Sequence, residues 1–122
     1  MSNQEIAARL VEMCKAGQLD EAVRELYAGD IVSIEGAAMG DIPARVEGLD
    51  GVLEKGAWWT ANHEVHGMHV TGPFIGRRDD QFAVKFDIDL TPKGGERVQM
   101  SEVALYTTKD GKIVQEEFLY QS

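Results

Sequence analysis

The feature that most limits what this chain can fold into lies in its second half, where four successive runs alternate apolar and polar residues. In "FAVKFDIDL", Phe82, Val84, Phe86, Ile88 and Leu90 alternate with Ala83, Lys85, Asp87 and Asp89. A period of two sends the first set to one face of a strand and the second set to the other. The runs "MHVTGPFIGR", "QFAVKFDIDLT", "RVQMSEVALYTT" and "KIVQEEFLYQ" all read as strands, joined by "RRDD", "PKGG" and "KDG", each a good turn former. Four strands connected this way predict an antiparallel sheet with one apolar face. That face needs a cover.

The first half supplies it. Ile6, Leu10, Met13 and Cys14 fall at helical spacing and predict a helix from about Asn3 to Lys15, with Gly17 as its C-terminal cap. Asp20 is placed to cap a second, short helix carrying Ala22, Val23, Leu26 and Tyr27 on one face and ended by Gly29. "DIVSIEG" predicts a short strand from Asp30 to Glu35, and residues 37–46, with Gly40 and Pro43, read as a loop. In "GLDGVLEKGAWWTANH", Val52, Gly56, Trp59 and His63 share one face of a third helix. The expected fold is α+β: three N-terminal helices packed on a curved, mostly antiparallel sheet. With no repeat, linker or low-complexity segment, residues 1–122 read as a single domain.

Composition excludes several classes of function. The net charge is −9, and the pair Arg77-Arg78 is answered at once by Asp79-Asp80, so neither a nucleic acid nor an anionic membrane surface is an expected partner. No apolar run approaches the roughly 20 residues of a spanning helix, and "MSNQEIAARL" lacks the apolar core of a signal peptide. A lone Cys14 on an apolar helix stripe fits a buried thiol in a reducing compartment, the cytoplasm by default.

All three histidines, His63, His66 and His69, lie in "NHEVHGMH". Spacings of three and three suit neither a helix, where i and i+4 pair, nor a strand, where His66 and His69 face opposite ways, so no metal is expected. The stretch reads as a helix-to-strand passage. His63, one turn beyond Trp59, falls near the mouth of any pocket on that face, and the other two read as strand-edge residues.

The segments "LYAGDIVSIEG", "EGLDGV" and "DGKIVQEEFLY", in the order helix, helix, strand, helix and four-stranded meander, resemble the nuclear transport factor 2-like superfamily, in particular its SnoaL-like and ketosteroid-isomerase-like members. The resemblance covers nearly the whole chain. It implies a cone-shaped pocket between the concave sheet and the helices, a homodimer through the convex sheet face, and no cofactor. It also implies roles for residues: Glu35 at the place of the carboxylate general base, Tyr27 as support for an oxyanion hole, and Glu102 as the acid that donates a hydrogen bond to a developing enolate. The Tyr that such isomerases carry in their first helix is replaced here by Leu10.

Strand parity reaches the same carboxylates without the resemblance. Glu102 shares parity with Val98, Met100, Ala104 and Tyr106, so it faces an apolar interior, where a carboxyl tends to stay protonated. Glu116 shares parity with Val114, Phe118 and Tyr120; a slip of one residue would turn Glu117 inward instead. Glu35 ends its strand and either enters the pocket or is solvated beside Gly36. Asp87 and Asp89, on the charged face with Lys85, read as solvated. Trp59, Phe86, Phe118 and Tyr120, with His63, are the expected pocket lining. Apolar residues on the opposite face (Val103, Leu105 and Ile113) mark the expected dimer contact.

Two functions fit these residues. One is a small-molecule pocket protein that acts as a cofactor-independent isomerase, cyclase or dehydratase on an apolar oxygenated substrate, with Glu35 and Glu102 as its catalytic pair. The other is a non-catalytic hydrophobic-ligand-binding or accessory dimeric module.

Overall fold

The structure is a computed structural model, and it describes residues 1–120. Gln121, at the end of the last expected strand, lies outside the described residues. The elements are α1 (Asn3–Lys15), α2 (Leu19–Leu26), β1 (Tyr27–Ile34), β2 (Arg45–Glu47), α3 (Leu49–Asn62), β3 (His63–Phe74), β4 (Gln81–Pro92), β5 (Val98–Lys109) and β6 (Lys112–Tyr120). The strands form one sheet in the order β2-β1-β6-β5-β4-β3. Only β1 and β6 run parallel; the other neighbours are antiparallel. The class is therefore α+β, three helices and a six-stranded mixed sheet, as the alternation required. No helix among the described residues is long and apolar enough to cross a membrane.

Local chemistry accounts for most element ends. Ser2 and Glu5 form a reciprocal capping box on α1, each side chain bonding the other's backbone N–H. Gly17 (φ +74°) closes the same helix. The β5–β6 hairpin turns on Asp110 and Gly111, both at positive φ, which a two-residue turn matched to the sheet twist requires.

Several expectations need correction. The second helix starts after Gln18 with no side-chain cap, and Asp20 sits in its first turn, where a carboxylate meets the positive end of the helix dipole. Tyr27 and Gly29 are not helical: the backbone extends at Tyr27, which pairs with Ile113, so both residues belong to β1. Residues 45–47, read as loop, form a short edge strand against β1. β3 begins at His63, five residues before the expected "MHVTGPFIGR" run, so "NHEVHGMH" is almost wholly strand. On α3 the buried residues are Val52 and Lys55, and Gly56 and Trp59 beside them are half-buried. Parity on β6 breaks where pairing jumps from Thr107↔Gln115 to Thr108↔Ile113. This irregularity turns Ile113 inward, to 0% exposure, against the expectation that it faces out, and removes Val114 from the inward set.

The core follows from the alternation. Phe82, Val84, Phe86, Ile88 and Leu90 are all buried and form one cluster with Ile6, Leu10, Leu26 and their helical neighbours. On the opposite face Asp87 accepts a hydrogen bond from Ser101, and Asp89 a bidentate pair from Arg97 at 2.9 and 2.7 Å. Those partners hold both carboxyls below the usual carboxylate range, hydrogen bonds from Ser101 and Arg97 being the main cause. That face is solvated.

Candidate functional site

Strand parity and one helix turn bring five polar side chains into a connected buried group. On β1, Tyr27, Ile31, Ser33 and, just past its end, Glu35 follow one parity, with Ile31 and Ser33 fully buried. Glu116 on β6 comes opposite Ser33. The Tyr27 hydroxyl donates to Glu116 Oε1, and Ser33 Oγ donates to Oε2 at 2.7 Å. From α3, Lys55 Nζ donates to Ser33 Oγ and lies 3.1 Å from Glu35 Oε1. It also sits 5.0 Å from the centre of the Phe118 ring. The Lys55 and Glu35 side chains are only 7% and 12% exposed, so this ion pair is removed from water. A buried ammonium is tolerated because three partners surround it.

Glu102 stands at the edge of this group. It pairs across the sheet with Phe86 on β4 and Tyr120 on β6. Burial, helped by the charges of Glu35 and Glu116 and opposed by Lys55, pushes its carboxyl up to about 7. Among the described residues no side chain hydrogen-bonds it. Burial also raises Glu116, against the hydrogen bonds from Tyr27 and Ser33 and the charge of Lys55. Beside it the Tyr27 and Tyr106 hydroxyls are held well above their ordinary range, by burial first and the Glu116 charge second. The Cys14 thiol is raised to about 11 by its burial, which leaves it inert.

The apolar surroundings open in one direction. The inner-face row Met68–Ile88–Met100 and the row Val65–Leu90–Val98 continue beyond the helices. There Met68 is 43% exposed and Val98 45%. Tyr120 leans over the end of β1, its hydroxyl accepting the Gly36 N–H at 2.9 Å. A Cβ at Gly36 would stand 3.0 Å from the tip of that ring, so a side chain there would push the Tyr120 ring aside by a few tenths of an ångström.

The structure thus joins Glu35, Tyr27, Glu116 and Phe118 in one cluster, with Glu102, Phe86 and Tyr120 on the adjoining strands. Glu116, not Glu117, is the buried member of its pair. Trp59 and His63 form a separate unit: their rings stack at 4.5 Å, and His63 Nδ1 meets the Trp59 carbonyl oxygen at 2.7 Å. No hydrogen bond links His63 to the carboxylates among the described residues. His66 meets Thr91 across the edge of the sheet at 2.8 Å. Two residues escaped the sequence reading. Lys55 lies three residues after Val52 and four before Trp59, the spacing of one helical face, and Ser33 shares parity with Ile31 and Glu35. Both signals lie in the sequence, carried by polar residues rather than apolar ones.

Two surface grooves are present among the described residues. One of about 460 Å³ runs between the start of α1 and Ile75–Asp79, and one of about 340 Å³ runs along β3, β4 and β5, lined by Met68, Ile88 and Met100 together with His69, Asp87 and Ser101. Neither is lined by the buried polar group.

Comparison with known proteins fits this arrangement. The profile of the SnoaL-like domain matches residues 1–120, so the chain belongs to the SnoaL-like domain family. A structure from Mesorhizobium loti, provisionally named a SnoaL-like polyketide cyclase with carbohydrate phosphatase as a second label, is 45% identical. The match covers 98% of this chain and 100% of that one, with a TM-score of 0.89. TerC, co-crystallised with polyporic acid, shares the fold at 18% identity and a TM-score of 0.75, over 98% of this chain and 91% of its own. So does a protein provisionally named an isomerase from Bacillus subtilis, at 19% identity and 0.74, over 99% and 90%. Among curated proteins none matches the chain.

Proposed function

We propose that the chain binds a neutral, largely apolar molecule bearing a carbonyl oxygen, in a cone-shaped pocket whose floor is the carboxylate group and whose wall is the exposed inner-face row. The observation that carries this reading is Glu102: a carboxyl pushed up to about 7, without a side-chain hydrogen-bond partner among the described residues, on the sheet face whose row runs on to the exposed Met68 and Val98. A protonated carboxyl there donates a hydrogen bond to the ligand oxygen. Glu35, with one oxygen engaged by Lys55, has its second oxygen free among the described residues to take a proton from the carbon next to the carbonyl. The carbon–hydrogen electron pair then moves into the carbonyl, whose oxygen takes the Glu102 proton to give the enol. A base and one pre-set donor each contribute on the order of 10²–10³-fold. This enolisation is the step shared by isomerases, cyclases and dehydratases of this chemistry. A phosphate ester fits poorly, since it would meet three carboxylates and one lysine that is already paired.

The test uses 2-acetylnaphthalene, a neutral fluorescent ketone, and its anionic analogue 2-naphthoate. The ketone should bind at pH 6, bind more weakly at pH 8, and exceed naphthoate at least tenfold. Its methyl protons should exchange with D2O faster than in buffer alone. Equal binding of the two probes would sink the site. Binding without faster exchange would establish the second reading, a non-catalytic ligand-binding module. That reading has its own support, because Glu35 and Glu116 already have protein partners.

We further propose a homodimer through the outer sheet face, where Val103 (37% exposed) and Leu119 (49%) are cross-strand neighbours next to Leu105. Ile113, being buried, takes no part. Light scattering should return about twice 13.5 kDa at micromolar concentration; a monomer mass would refute the pairing. A reducing cytoplasm suits the single buried thiol of Cys14.

A further inference from the structure

Three carboxylates converge near one cation, and that ratio is unusual for a buried group. The charged groups that act on Glu102 come from each packed element: Glu35 beyond β1, Lys55 on α3 and Glu116 on β6, while Tyr106 on its own strand β5 feels the Glu102 charge in turn. Phe86 and Tyr120, its cross-strand neighbours, bring no charge at neutral pH. Two of the three carboxylates are held by donors. Glu116 takes the Tyr27 and Ser33 hydroxyls, and Glu35 takes Lys55 at 3.1 Å. Lys55 touches both arrangements, because its Nζ also bonds Ser33 Oγ, the hydroxyl that reaches Glu116.

We propose that Lys55 is a positioning residue that divides roles among the three carboxylates: by pairing with Glu35 and propping Ser33 toward Glu116, it leaves Glu102 as the group that exchanges a proton with a ligand. The geometry gives the reason. The charges of Glu35 and Glu116 disfavour ionisation of Glu102 and the cation of Lys55 opposes them, so without Lys55 the Glu102 carboxyl would hold its proton more tightly. With Lys55 fixed by Ser33, Glu35 and the Phe118 ring, the charge sits on the Glu35 side. The sequence contains the device as the spacing Val52–Lys55–Trp59, which aims a lysine at the interior of the sheet. The role rests on the proposed ligand reading only for what receives the proton; the charge arrangement itself exists in the ligand-free protein.

The test is therefore made without ligand, by carbon-detected NMR titration of protein labelled at the Glu carboxyl carbons. Wild type, Lys55→Met, Lys55→Arg and Glu35→Gln are compared. In Lys55→Met the Glu102 midpoint should rise by about one pH unit above that of wild type, because the cation that lowers it is gone. Lys55→Arg keeps the charge and should return the midpoint toward wild type. In Glu35→Gln the repulsion is removed and Lys55 is released, so the Glu102 midpoint should fall by about one unit. A purely structural lysine would leave these midpoints in place while changing only stability. If Lys55→Met does not fold, Lys55→Gln, which keeps a donor to Ser33 but removes the charge, takes its place, and its Glu102 midpoint should rise in the same way. A Glu102 midpoint unchanged in every folded variant overturns the role of Lys55. Failure of 2-acetylnaphthalene to bind would not, because no ligand enters this measurement.

Discussion

The inner face of the sheet has two ends built on one alternation and finished differently. At the closed end, Phe82, Val84 and Tyr106 lie beneath the helices, with Phe82 and Tyr106 stacked at 4.9 Å, and the polar atoms of Glu116, Tyr27 and Ser33 bond one another. At the open end the same parity carries Met100 and Glu102, which are half-buried, toward Met68 and Val98, which stay exposed. Alternation decides which residues point inward. The length of the helices decides which of those are covered. A carboxylate at the closed end becomes a structural anchor, whereas one at the boundary keeps a proton that it can exchange.

The largest effect should come from the boundary residue. In the folded chain Glu102 titrates at about 7, above its ordinary value of 4.5. Below pH 4.5 the group is protonated both folded and unfolded and contributes no difference. Between pH 4.5 and 7 the unfolded chain releases the proton and the folded chain keeps it, so stability falls across that window and is level above it. The difference approaches about 3 kcal/mol. Glu102→Gln removes it. Urea unfolding should show the variant more stable than wild type by up to about 3 kcal/mol at pH 8 and nearly equal to it at pH 4. Equal stability at both pH values would put Glu102 in water and erase the distinction between boundary and surface.

Next comes the closed end. Tyr27→Phe deletes a donor to a carboxyl that has no access to water, and a buried group left short of a partner costs about 1–3 kcal/mol. The loss should be accompanied by a further rise in the Glu116 midpoint, because one of the bonds holding it down is gone. The Glu102 midpoint should move little. A loss well below 1 kcal/mol would mean that water reaches Glu116, and the closed end would not be closed.

How far these two ends could be read from sequence depends on the kind of regularity that built each. Phe82 to Leu90 and Val98 to Tyr106 are unbroken strands, so period two placed their residues, Glu102 included, on the correct face. Along β6 the pairing irregularity near Ile113 shifts parity for the start of the strand and restores it by Glu116. Counting therefore succeeded for Glu116 and failed for Ile113 and Val114. β2 has three residues, too few to show a period, and it exists because β1 offers an open edge. The expected run starts at Met68, just after Gly67, whereas the strand starts at His63, because an edge strand with a pairing irregularity between Val65 and Gly67 accommodates glycine. Lys55 shows a different limit. Its position was legible, but its burial depends on Ser33, Glu35 and Phe118 meeting it across three elements. No local pattern contains that meeting.

The smallest effect on stability should come from the open end, and it sharpens the comparison most. Met68 lies on the inner face opposite Ile88, and 43% of its surface is exposed in the absence of ligand. Replacing it with Ala removes little burial, so unfolding should change by less than about 0.5 kcal/mol, whereas truncating a buried core residue such as Val84 should cost about 2 kcal/mol or more. Ligand binding should respond in the opposite proportion. A ring lying along the Met68–Met100 row would cover one or two methylene equivalents of the Met68 side chain, worth about 0.8 kcal/mol each. Met68→Ala should therefore weaken 2-acetylnaphthalene roughly fourfold or more, while Val84→Ala, if folded, leaves it within about twofold. A Met68→Ala protein with unchanged ketone affinity would place the ligand elsewhere on the molecule, and the exposed row would then be only the uncovered end of a sheet.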